Sequence, residues 1–369
     1  MSINPFKLEE YLGQHEFKAP YTLCCSDAES LIMSELLGMA SPSQLEMWEK
    51  LRLGYTEVSG HPLLKESLTT AFFPDLTSQQ LLCTSRAEEG IFCSLFALCN
   101  PNDHVIVITP CYQSLMEIPR LKGCEVTSVS LLEENQWQID LNAIQQAIKT
   151  NTKWVVINFP HNPTGQTISE ADLSALINLL DQHGIWLFSD EVYRLLGPKD
   201  TVWAQPAACL YPKAISIGVM SKAFGMAGLR IGWVACQNQE VLKKIELMKH
   251  YTSICNSAPA EILSLIALSN QTKILNRITQ IVETNLALLD QFFQNYGDLF
   301  SWVRPTGGCV GFVNYKGSQP VDAFCQDLLE TKGVLLLPGS VYDVTSNHFR
   351  LGFGRRNMKQ ALHLLESFL

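Results

Sequence analysis

Three short strings in this chain carry side chains able to do covalent or acid–base chemistry. The string SKAFGMAGLRIGW holds Ser221 and Lys222 just ahead of Arg230, SDEVYR holds Asp190 and Tyr193, and PHNPTG holds Asn162 between Pro160 and Pro163. Lysine is the side chain that forms a Schiff base with an aldehyde. A carboxylate such as Asp190 can pair with a cationic ring nitrogen, and Asn162, on a loop stiffened by two prolines, can donate a hydrogen bond. Singly, each has a plain structural reading: a surface lysine, a helix cap, a turn residue, and an ion-pair partner in the case of Arg230. All four at successive strand ends are hard to obtain by chance.

The elements that must position them are legible as apolar, β-rich runs alternating with helical patterns from about residue 81 to 236. Seven strands are expected: Leu81–Ser85, His104–Thr109, Glu125–Leu131, Trp154–Phe159, Ile185–Asp190, Ala214–Ser221 and Arg230–Cys236. Runs such as VIVIT and WVVINF are apolar on both faces, as in a mostly parallel sheet covered by helices on each side. Ligands of such sheets collect at the carboxyl ends of strands, where helix N-termini offer free N–H groups to anions. Long helical patterns follow over 238–296, then strands near 309–315, 334–338 and 348–353 and a terminal helix from Met358 to Leu369.

With 369 residues, two domains are expected, and 47% hydrophobic against 17% charged residues is enough to bury both. No tether divides the chain. The expectation is therefore a large α/β domain over 41–265 and a small α+β domain built from both chain ends, 1–40 and 266–369. A net charge of −9 and the lack of a basic block argue against nucleic acid as a partner. The twelve cysteines are scattered, many in apolar runs, and read as reduced buried thiols without metal-ligand spacing. No apolar run of about 18 residues and no leader pattern occur, so a membrane partner is not expected and the reading is a soluble cytoplasmic protein.

Over nearly its whole length the sequence resembles the class I/II aminotransferases of fold type I, through NPTG, S-D-E-x-Y and S-K-x-x-x-x-x-G-x-R. The resemblance implies an aspartate-aminotransferase-like fold and pyridoxal 5'-phosphate as cofactor. It implies that Lys222 carries the cofactor as a Schiff base and shuttles the proton. Asp190 would then pair with the pyridine nitrogen, and Tyr193 and Asn162 would bind the ring's phenolic oxygen. It assigns the phosphate to the backbone N–H groups of Ala87 and Glu88, with Ser221 and Arg230 adding a hydroxyl and a guanidinium. Tyr112 would stack on the ring, and Tyr55 would reach the phosphate of a neighbouring subunit, which makes a homodimer with its site at the interface. Arg350 in HFRLGFG would grip the substrate α-carboxylate, with Asn162 beside it, whereas Arg355 and Arg356 read as a solvated basic pair.

Two positions depart from the family pattern. Arg86 stands where a glycine is common, and either points outward or adds positive charge near the phosphate. Val219 stands where a serine usually precedes the S-K pair. The stretch CCSDAESLIMSELL lacks the glycine segment with which many relatives line the substrate pocket. PCYQSLMEIPR and GVMSKAFGMAGLRIGW resemble the branch that includes capreomycidine synthase. The expected activity is transfer of an amino group between an amino acid and a 2-oxo acid. The alternatives are elimination, replacement or cyclisation on the same cofactor, and an inactive regulatory relative.

Overall fold

The computed structural model describes residues 3–369. All seven expected strands are present within two residues of their expected bounds: β1 (Leu81–Thr84), β2 (His104–Thr109), β3 (Glu125–Ser130), β4 (Thr152–Asn158), β5 (Trp186–Asp190), β6 (Ala214–Val219) and β7 (Gly232–Ala235). They form one sheet in the order β1-β7-β6-β5-β4-β2-β3. Every neighbouring pair is parallel except those made by β7, which runs antiparallel to β1 and β6.

Alternation along the strands builds two cores. Val105, Val107, Val156, Ile215 and Ile217 pack on one face, and Ile106, Ile108, Val155, Ile157 and Leu187 on the other. Because helices cover both faces, β6 is buried along its whole length, whereas β3 at the sheet edge is mostly exposed.

A second, antiparallel sheet takes the strands Leu337–Pro338, His348–Gly352, Val310–Tyr315 and Phe300–Trp302, in that order. The last of these had no signal in the sequence reading. Tyr21–Thr22 pairs in parallel with Val334–Leu335, so the N-terminal segment is stitched to the C-terminal part of the chain.

Three helices matter for the site: α1 (Lys7–His15), α2 (Ala87–Leu98) and α3 (Gln271–Asn295). In α3 the buried positions Ile274, Ile278, Ile281, Leu286 and Leu289 recur at helical spacing and face the core. The same face carries buried Asn285, whose amide donates to the carbonyls of Phe353 (2.9 Å) and Arg355 (2.7 Å) and so fixes the turn after the strand that bears Arg350. No helix among the described residues is long and apolar enough to cross a membrane.

Candidate active site

The carboxyl ends of β4, β5 and β6 open into a cavity of about 570 Å³, a size suited to a cofactor-sized ligand. Its wall includes Ala87, Glu88, Tyr112, Asn162, Asp190, Tyr193, Ser221, Lys222, Arg230 and Arg350. Residues spread over some 260 positions thus meet in one place, and Tyr55 is the one candidate absent from it. Tyr55 is 91% exposed in the isolated chain.

Lys222 follows β6 and donates to Ser26 Oγ at 3.0 Å, with Nζ 5.2 Å from the centre of the Tyr193 ring. Burial lowers its pKa; Asp27 and Asp190 oppose that shift. A depressed pKa makes the amine available as a nucleophile and base near neutral pH. Tyr193 is buried and its hydroxyl has no hydrogen-bond partner, a donor left free inside the cavity.

Asp190 ends β5 with Oδ1 accepting the Val192 N–H at 3.1 Å, and burial pushes its pKa up from 3.8 to about 7. The Val192 N–H and the Lys222 charge oppose the shift without cancelling it. The folded chain therefore holds this proton more tightly than the unfolded chain. The stabilisation is complete below about pH 4 and is lost as pH rises towards 7, amounting to up to about 4 kcal/mol. In chemical denaturation of the ligand-free protein, wild type should lose stability relative to Asp190→Asn as pH rises across that window, because asparagine keeps the neutral form at every pH. A pH-independent difference would refute the assignment.

Asn158, at the end of β4, accepts the Asn162 N–H at 2.9 Å and donates to the Asp190 carbonyl at 3.0 Å, which ties the PHNPTG turn to β5. Asn162 Oδ1 in turn accepts from Tyr342 Oη at 3.0 Å and Arg350 Nη1 at 3.2 Å. Arg350, 1% exposed, also donates to Tyr342 Oη (2.5 Å) and twice to the Cys24 carbonyl (3.1 and 2.8 Å). All its acceptors are neutral, and among the described residues it forms no ion pair. A buried guanidinium without an anion is poised to take one.

The opposite end of the cavity is the N-terminus of α2, where Ala87 begins the helix and Arg86 precedes it. Glu88 accepts from Ser114 Oγ at 2.5 Å, and burial raises its pKa. Arg230 Nη1 donates to the Ala227 carbonyl at 2.8 Å, and its pKa is lowered by burial and by nearby Arg86. Tyr112 Oη donates to Glu9 Oε1 at 3.0 Å.

The sequence reading missed α1 altogether. Phe6 packs against the Tyr112 ring at 5.1 Å, and Glu9, Leu12 and Glu16 line the cavity, as do Cys25, Ser26 and Asp27 from the glycine-free stretch. The only local signal was the spacing of Leu8, Tyr11 and Leu12 in KLEEYLGQH. One expectation is corrected. Arg355 is not a solvated partner of Arg356 but is half-buried, bonding both Asp27 oxygens at 2.9 and 3.0 Å, because Asp27 beside the cavity needs a counter-charge.

Comparison with known proteins agrees with this geometry. The family model for "Aminotransferase class I and II" matches residues 47–368. An aspartate aminotransferase of Geobacillus stearothermophilus is 31% identical over 308 residues, covering 79% of this chain and 77% of its own length. Capreomycidine synthase of Streptomyces vinaceus is 26% identical over 350 residues, covering 94% and 88%. The crystal structure of a PLP-dependent aminotransferase from Streptococcus suis superposes with a TM-score of 0.94 at 32% identity, covering 100% of this chain and 98% of that one. The match over most of the chain, and the cavity its strand ends build, make this protein a member of the class I and II aminotransferases.

Proposed function

We propose that the protein is a pyridoxal-5'-phosphate-dependent aminotransferase that moves an amino group between an amino acid and a 2-oxo acid. The observation that carries this is the convergence of Lys222, Asp190 and an unpaired, buried Arg350 on one cavity. The residues fit the cofactor at each end. The α2 N-terminus, Ser221 and Arg230 suit its phosphate, Lys222 its aldehyde, Asp190 its ring nitrogen, and the orphan Tyr193 hydroxyl with Asn162 its phenolic oxygen. Tyr112 would cover the ring face.

When bound, the cofactor supplies an aldehyde that condenses with amines and a ring that accepts electrons from the α-carbon. Lys222 Nζ would hold that aldehyde carbon until an amino acid displaces it, then accept the α-proton and release it again. Asp190 would become a carboxylate opposite a ring cation, which offsets its burial. Arg350 would fix the substrate by its α-carboxylate and so present the α-hydrogen to Nζ.

The similarity to capreomycidine synthase across 94% of the chain supports a second reading: elimination, replacement or cyclisation from the same starting geometry. We assign the large α/β domain to 41–265 and the small domain to 1–40 and 266–369. A homodimer accounts for exposed Tyr55, with Leu53 87% and Tyr251 80% exposed on adjoining segments. Twelve free cysteines suit a reducing, cytoplasmic setting.

The test is an absorption spectrum of the purified protein from 300 to 500 nm while a panel of amino acids is added, with the 2-oxo acid products identified. A visible band that some amino acids shift, with a keto acid released, supports transamination. Pyruvate with ammonia, or a cyclic product, without any acceptor would favour the second reading. Sedimentation of the same sample as a single chain would sink the dimer.

A further inference from the structure

We infer that Arg86 is a second guanidinium of the phosphate site, held in an unfavourable backbone conformation for that purpose. The inference rests on the cofactor assignment above. Arg86 has φ 150° and ψ 171°, a region that essentially only glycine occupies freely. A non-glycine residue persists there only where its surroundings over-determine the backbone. They do so here from three sides. Thr84 Oγ1 donates to the Arg86 carbonyl at 2.8 Å, and the Ser85 N–H is held by the Glu89 carboxylate at 2.6 Å. Strand β7 closes the third side: a Cβ on Gly232 would lie 2.7 Å from both Arg86 C and Ala87 N.

That clamp brings a charged side chain to the cavity wall beside Arg230. The two guanidinium groups are close enough for Arg86 to lower the pKa of Arg230, and among the described residues neither forms an ion pair. Glu9 and Glu88 stand on the same wall, but Glu9 is bonded by Tyr112 and Glu88 by Ser114, so two like charges on a strained backbone at the start of a twelve-residue helix are left without a direct ion pair, an arrangement that a doubly charged anion relieves. Glycine at this position would remove the strain and one of the two charges together. Arg86 thus adds to the phosphate contacts rather than obstructing them.

Three substitutions separate strain from charge. Arg86→Gly removes both, Arg86→Gln keeps the Cβ and loses the charge, and Arg86→Lys keeps both. For cofactor-free protein, Arg86→Gly should melt roughly 2–4 °C higher than wild type, with the glutamine and lysine variants near wild type. Pyridoxal 5'-phosphate, titrated by quenching of tryptophan fluorescence, should bind on the order of tenfold more weakly to the glycine and glutamine variants, with partial recovery in the lysine variant. Pyridoxal, which lacks the phosphate, should bind all four proteins alike, and inorganic phosphate should raise the melting temperature of wild type more than that of Arg86→Gln. Equal losses for pyridoxal and its phosphate, or undiminished phosphate binding by Arg86→Gln, would overturn the inference while leaving the cofactor assignment intact. A wild type that binds neither compound would overturn both.

Discussion

Lys222→Ala is expected to lower turnover of the amino-acid substrate by about 10^4-fold or more, because no other group in the cavity can both hold the aldehyde carbon and move the α-proton. The other candidate bases are unsuited: Tyr193 is held far above its ordinary pKa by burial, Asp27 has both oxygens bonded by Arg355, and Asp190 would be engaged by the ring nitrogen in the proposed site. The fold should survive the change. Lys222 Nζ has a single hydrogen-bond acceptor, Ser26 Oγ, and its burial already disfavours the charged form, so removing it strands little. Borohydride reduction followed by peptide mass spectrometry gives a second readout. Wild type should carry the cofactor on the peptide containing Lys222, and the variant should carry none while still binding the cofactor non-covalently through the α2 N-terminus and Arg230. Turnover within tenfold of wild type, or cofactor on a different lysine, would remove Lys222 from the mechanism.

What the sequence made legible was local. Each of Asn162, Asp190 and Lys222 sits at the end of a strand whose apolar run marks its own limits, so residue type and placement were readable in a few consecutive positions. The partners that set their chemistry were not. Ser26, which meets Lys222, and Cys24, whose carbonyl receives Arg350, lie 196 and 326 residues from those side chains and carry no local mark of the pairing. Helix α1 is short and mostly polar, yet it roofs the cavity because Phe6 and Glu9 find Tyr112, and Tyr11 finds the Leu336 carbonyl. Arg355 was misread for the same reason, since its partner Asp27 comes from the other end of the chain. Arg86 was visible as a departure, but its positive φ and the approach of Gly232 are properties of the packed turn. Tyr55 lies exposed and outside the cavity in the isolated chain, so nothing local to it marks a role.

Arg350→Ala should lower kcat/KM for amino acids on the order of 10²- to 10³-fold, mostly through KM, while leaving the bound cofactor's absorption unchanged. The magnitude follows from removing one member of a buried charge pair, about 2–5 kcal/mol. Here the pair would be completed by the substrate carboxylate, since the guanidinium's acceptors within the chain are the neutral Cys24 carbonyl, Tyr342 Oη and Asn162 Oδ1. Arg350→Lys should recover little, because an ammonium cannot reach that carbonyl and hydroxyl while also presenting two parallel N–H groups to a carboxylate. Either change also leaves Tyr342 and Asn162 short of a donor, at a stability cost of about 1–3 kcal/mol, so activity is to be compared well below the melting temperature. The discriminating substrate is the amine that lacks the α-carboxylate. If Arg350 grips that carboxylate, wild type should process the amine as poorly as Arg350→Ala does, and the variant should treat amine and amino acid nearly alike. A wild type indifferent to the carboxylate would make Arg350 a buried structural cation, and would leave the anion that satisfies it to be sought among other ligands of the cavity.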